Sequence, residues 1–96
     1  MYQLASAVPT LESIREAIVD YVIVNFPSKY TRETIPLDQS LLHLKVIDSY
    51  GVVELIVFLE DNWSIIIDDS EVTHEKMGSI NKMSTLVLEK LETCDR

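Results

Sequence analysis

The sequence holds one cysteine, two glycines and three prolines among 96 residues, and each scarcity removes a class of protein. A single thiol, Cys94, builds neither an internal disulfide framework nor a thiolate metal cluster. So few turn formers argue against an all-β architecture. The two glycines, Gly51 and Gly78, lie too far apart for a phosphate-cradling loop. No apolar run approaches the roughly 18 residues of a membrane span, and no basic-then-apolar leader opens the chain. Bases are missing from one long stretch as well. Between Lys45 and Lys76 there is no Lys or Arg, whereas Asp48, Glu54, Glu60, Asp61, Asp68, Asp69, Glu71 and Glu75 all fall there. These eight acids account for the whole net charge of −8, and the rest of the chain balances eight acids against eight bases.

What is present is ordinary globular material: 47% apolar and 25% charged residues, close to the average for folded domains. The length predicts one domain over residues 1–96, with one modest core and no deep catalytic cleft. A field of one sign favours basic partners and repels nucleic acid and anionic membranes. A solvated acidic face that only maintains solubility explains the same charge. Together these features predict a cytoplasmic, monomeric, mostly helical protein.

Periodicity sets out the elements. Thr10 precedes Leu11, Ile14, Ile18, Tyr21 and Val22 at helical spacing, with Glu12 in the first turn, which predicts a capped helix over about 11–25, ended at Phe26-Pro27. Residues 26–47 show no sustained period and read as a long connection, packed through Leu37, Leu41, Leu42 and Leu44. A helix over about 49–62 presents Val52, Leu55, Ile56, Leu59 and Trp63 to the core. Its second apolar stripe, Tyr50, Val53 and Val57, lies beside acids. That stripe is either a partner-docking face or the seat of the 26–47 connection. Ile65, Ile66 and Ile67 form an extended segment. A short acidic element follows over about 70–77 with Val72 and Met77 inward, and Ser79 caps a last helix over about 79–92. The fold class is all-α: a small antiparallel bundle of three main helices and one short one, with a long first loop.

Templates for catalysis and metal binding fail. His74-Glu75 lacks its second histidine because Gly78 stands there. His43, His74 and Cys94 have no metal-site spacing, and Asp68–Glu71 lacks the glycine and alternating ligands of a calcium loop. Asn62-Trp63-Ser64 matches a glycosylation acceptor only by accident, given no leader. The chain reads as having no catalytic activity of its own.

One constellation remains, Ile47-Asp48-Ser49-Tyr50-Gly51-Val52-Val53-Glu54-Leu55, where the long loop meets the second helix. Taken alone, Ser49 is an N-cap for an orphan amide. The whole order resembles the acyl carrier protein family and its aminoacyl and peptidyl relatives: Asp-Ser after a long loop, Val-Glu-Leu, then Leu59-Glu60-Asp61 leading to Trp63. A short acidic segment and a closing Ser-Ile helix follow in family order. The resemblance runs from about Leu11 to Leu91.

This resemblance implies 4′-phosphopantetheine attached to the Ser49 hydroxyl by a phosphopantetheinyl transferase, with coenzyme A and magnesium. Asp48 would serve recognition, and the arm would carry a thioester-bound acyl or aminoacyl group in fatty acid, polyketide or nonribosomal peptide synthesis. Tyr50, Val53 and Val57, with Glu54, Glu60 and Asp61, would dock partners that carry basic surfaces: the transferase, a loading ligase and downstream acyl-processing enzymes. Fatty-acid carriers typically follow the serine with Leu-Asp, whereas Tyr50-Gly51 stands here and looks more like D-alanyl or specialised carriers. Lys45-Val46 occupies a loop position where the family usually has glycine. Two other classes compete with the carrier. One is an unmodified acidic interaction module, and the other is a small hydrolase using Ser49 with His43 or His74 as base.

Overall fold

The computed structural model describes residues 9–93. Four α-helices carry the fold, with no strand among the described residues: α1 (Leu11–Asn25), α2 (Ser49–Trp63), the short α3 (His74–Met77) and α4 (Ile80–Thr93). The all-helical bundle expected from periodicity is therefore the one observed. Cys94, excluded above from disulfide and metal roles, lies outside the described residues.

Thr10 begins α1 as expected, its Oγ1 accepting the Ser13 amide at 3.1 Å. Ile14, Ile18, Val19 and Val22 of this helix are buried. Ser79 plays the same part for α4 by accepting the Lys82 amide, and Ile80, Met83, Leu86 and Val87 turn inward. Helix α4 packs against α1, α2 and α3 and is the common wall of the bundle. An aromatic ladder ties α1 to α2: Tyr21 stacks on Phe58 with centroids 4.0 Å apart, while Phe26 and Trp63 meet its two members edge-on.

The connection between α1 and α2 is folded onto the core through three of the four expected leucines and three further residues. Leu41 is buried, and Leu37 and Leu44 are partly so, but Leu42 stands 48% exposed. The anchors the periodicity missed are Ile35, Val46 and Ile47. Leu41 lies in a turn whose end is closed by two bonds, the Val46 amide to the Leu41 carbonyl and the Lys45 amide to the Leu42 carbonyl. This is the Schellman arrangement, and it requires a left-handed residue at its end. Lys45 fills that place with φ 64°, the conformation for which glycine is the unstrained choice. Further along, Asn81 fastens the connection to α4: its amide donates to the Leu37 carbonyl, its side chain donates to Asp38, and it accepts from Arg15 of α1.

The expected 70–77 element is two pieces. A 3₁₀ turn spans Asp69–Glu71, and α3 starts afresh at His74. The Glu71 carboxylate reaches back to the Asp68 amide at 2.9 Å and closes the first piece. Extended Thr73 then caps the second by accepting the Lys76 amide. Val72, expected inward, is exposed; Met77 packs on the core as expected. Ahead of this segment the isoleucines alternate, with Ile65 and Ile67 buried and Ile66 outward.

Candidate functional site

The loop–α2 junction puts the sequence-selected residues in sharper order than the sequence did. Asp48, not Ser49, is the N-cap: its extended backbone precedes the helix, and its Oδ1 accepts the Gly51 amide at 2.8 Å. Asp and Ser are both good caps, so only the backbone decides between adjacent candidates. Ser49 is the first helical residue. It is exposed, and among the described residues its hydroxyl has no hydrogen-bond partner. The cap alternative for Ser49 is thereby removed, and a free primary nucleophile stands at the head of α2.

Gly51 explains how the junction closes. It is buried, and a Cβ there would come within 3.1 Å of both Ile47 Cβ and Phe26 Cε1. The absent side chain lets Phe26 rest against the first turn of α2, fixing the end of α1 beside Ser49.

From Ser49 a face runs down α2. Tyr50 is 75% exposed, Val53 57% and Val57 50%. The 26–47 connection therefore does not seat on this stripe. Glu54 and Asp61 are exposed on the same side, and neither forms an ion pair among the described residues. Glu60 is placed differently. It is half-buried, and its Oε2 accepts the Ile67 amide at 2.9 Å, holding the segment after α2 to the helix.

Behind the junction lies a cavity of about 160 Å³. Leu41, Leu42, Ile47, Val52, Leu55, Met77 and Met83 make its apolar wall, with Ser40, Thr73 and His74 also lining it. An apolar cavity of about 150 Å³ holds a guest of benzene size. Periodicity does not reveal this cavity, because its lining comes from four separate segments. A second, open hollow adjoins Ser49 directly and is lined by Phe26, Pro27, Leu42, Lys45, Val46, Ile47 and Asp48. His43 and His74 share a different hollow with Gln39 and Ser40, and no hydrogen bond joins either histidine to Ser49 among the described residues. The nucleophile–base pair a hydrolase would need is not assembled there.

No family model matches the chain. Over 53 residues it is 43% identical to the D-alanyl carrier protein of Streptococcus suis (strain 98HAH33), a match covering 55% of this chain and 67% of the relative. With the helical fold and the exposed serine after its acidic cap, this places the protein in a definite class. The chain belongs to the phosphopantetheine carrier protein family.

Proposed function

We propose that this chain carries an acyl or aminoacyl group as a thioester on 4′-phosphopantetheine joined to Ser49 Oγ, and presents it to separate biosynthetic enzymes in the cytoplasm. The observation that carries the reading is the Ser49 hydroxyl itself, exposed and unbonded at the first position of α2. The residues present suit the group. Ser49 offers an accessible oxygen, and the adjoining amides of α2 favour a phosphodiester anion. When bound, the group supplies the thiol that holds the cargo.

Loading follows the pattern of phosphoryl transfer. Ser49 Oγ forms a bond to the phosphorus of coenzyme A, the adenosine bisphosphate leaves, and the serine proton passes to a base of the transferase. Positioning and charge neutralisation by the transferase and its magnesium do most of the work. Asp48 contributes recognition while it holds the helix end in place. Tyr50, Val53 and Val57 form the apolar centre of the docking face, with Glu54 and Asp61 meeting basic residues of the transferase, the loading ligase and later enzymes. Glu60 adds only its second oxygen, since the first is committed to Ile67. No group of the chain acts as a catalyst in this scheme.

Two observations bear on the cargo. The relative's name favours a small aminoacyl group such as D-alanyl. The cavity beside the junction favours an uncharged acyl chain of about six carbons or fewer, because most of its wall is Leu, Ile, Val and Met side chains.

The deciding experiment weighs the intact protein after incubation with coenzyme A and a broad-specificity phosphopantetheinyl transferase. Wild type gains the mass of one arm, and Ser49→Ala gains none. If wild type stays unmodified with several transferases, the chain is an unmodified acidic interaction module instead, and Ser49→Ala will then bind its partner undiminished.

A further inference from the structure

Lys45 combines two features that pull against each other. It adopts φ 64°, a left-handed conformation that costs a side-chain-bearing residue about 1 kcal/mol. Nothing in the turn needs a lysine: glycine would satisfy the same backbone without strain. The ammonium makes no ion pair among the described residues, so the strain is not offset within the fold. Strain kept at one position without a structural return points to a use for the side chain.

The surroundings indicate that use. Lys45 lines the open hollow that includes Ser49, and it is the one base among the residues lining it. Between Lys45 and Lys76 the sequence contains no Lys or Arg, so α2 offers no such cation of its own. A phosphodiester formed on Ser49 would add an anion next to the Asp48 carboxylate, whose Oδ1 already serves the Gly51 amide. The rest of the hollow is mainly apolar: Phe26, Pro27, Leu42, Val46 and Ile47. A cation at the rim of a shallow apolar surface complements an anion followed by a branched hydrocarbon, and phosphate joined to the dimethyl-bearing pantoyl unit has that sequence of chemistry.

We infer that this hollow is a resting subsite for the phosphate–pantoyl half of the arm, with Lys45 as the residue that positions the phosphate. The inference rests on attachment at Ser49. It assigns Lys45 a role in holding the arm near the body of the protein between enzyme visits, apart from partner docking along α2. Leu42 and Ile47 line both this hollow and the apolar cavity, so the two spaces share a border. An arm resting in the first has its root beside two residues that also line the second.

The test uses the whole protein loaded from coenzyme A labelled with ¹³C at the pantoyl methyls, and reads nuclear magnetic resonance rather than activity. In wild type, those methyls show cross-peaks to Phe26 and Val46 side chains and lines broader than those of free pantetheine. An exposed ion pair is worth up to about 1 kcal/mol, so Lys45→Gln lowers the docked-to-free ratio by about two- to five-fold. Lys45→Arg keeps it, and raised salt reproduces the Gln result in wild type. Methyl lines as narrow as those of the free arm in loaded wild type would overturn the subsite, as would a Lys45→Gln protein indistinguishable from wild type. Those results leave carriage on Ser49 intact. A protein that never gains the arm's mass overturns the carrier reading, and this inference with it.

Discussion

Asp48 accepts the Gly51 amide at 2.8 Å, and by taking the cap it leaves the neighbouring Ser49 hydroxyl free. Helix capping thus falls to one residue and the proposed attachment to its neighbour. Asp48→Ala should lower the unfolding free energy by about 1 kcal/mol, while Asp48→Asn, an equally good cap, should stay within a few tenths. Ser49→Ala should fall within about 0.5 kcal/mol of wild type, as expected for an exposed side chain without a partner. Urea titrations of the three variants check this. Loading rates should sort them the other way: under the proposed recognition role of Asp48, Asp48→Asn keeps the fold but loads more slowly because it lacks the charge.

Gly51 and Phe26 make the second test of the junction. Leucine at position 51 meets Phe26 Cε1 and Ile47 Cβ where even a Cβ approaches within 3.1 Å. Gly51→Leu should therefore destabilise by about 1–3 kcal/mol as Phe26 is displaced. Gly51→Ala should come out near neutral, since a gain in helix propensity of about 1 kcal/mol opposes the crowding. Thermal melts distinguish the two, and a Gly51→Leu protein as stable as wild type would show that the contact does not constrain the end of α1.

Much of this architecture was legible because α1 and α4 announce themselves. Each has apolar residues at three- and four-residue spacing after a hydroxyl cap, Thr10 or Ser79. At α2 the pattern was equally clear, but two good caps in a row, Asp48 and Ser49, made the start ambiguous by one residue. The break between Glu71 and His74 does have a signal in the sequence: Asp68 followed by Glu71 is the spacing of a capping box, and β-branched Val72 and Thr73 interrupt the helix after it. Burial of Ile35, Val46 and Ile47 had no such signal, since an irregular connection has no period to read. Nor did the cavity, whose wall joins Leu41, Val52, Met77 and Met83 across four segments. The exposed stripe of Tyr50, Val53 and Val57 was visible as surplus apolar residues, but only the fold separates Glu54 and Asp61, which face outward, from Glu60, which turns to Ile67.

The glycine that the family usually places in this loop has a physical reason in the Lys45 turn. Replacing Lys45 by Gly removes the left-handed strain, although glycine's greater freedom in the unfolded chain offsets part of the gain. The variant should be more stable by up to about 1 kcal/mol, read as a higher urea midpoint at unchanged slope. Lys45→Ala, still strained, should show no such gain. If the Gly variant is less stable than the Ala variant, the turn does not impose the conformation assigned to it.

The Glu71–Lys90 pair supplies a prediction with a definite pH signature. Lys90 Nζ lies 2.8 Å from Glu71 Oε1, joining the 3₁₀ turn to α4. The hydrogen bond from Lys90, assisted by the one from the Asp68 amide, holds the Glu71 carboxyl below its ordinary value of 4.5. A lowered folded-state value means that the unfolded chain binds the proton more readily. The stabilisation is thus complete above the ordinary carboxylate range and lost as pH falls through the lowered value. Lys90→Met should cost up to about 1 kcal/mol near pH 7, and the gap to wild type should narrow steadily once pH drops below 4.5. Because Val72, Thr73, His74 and Met77 of this segment line the apolar cavity, amide exchange over residues 69–77 should quicken in the variant at neutral pH while α1 remains protected. A stability gap that stays constant from neutral to strongly acidic pH would mean that Lys90 supports α4 by packing alone, and the ionic tie between the 3₁₀ turn and α4 would have to be abandoned.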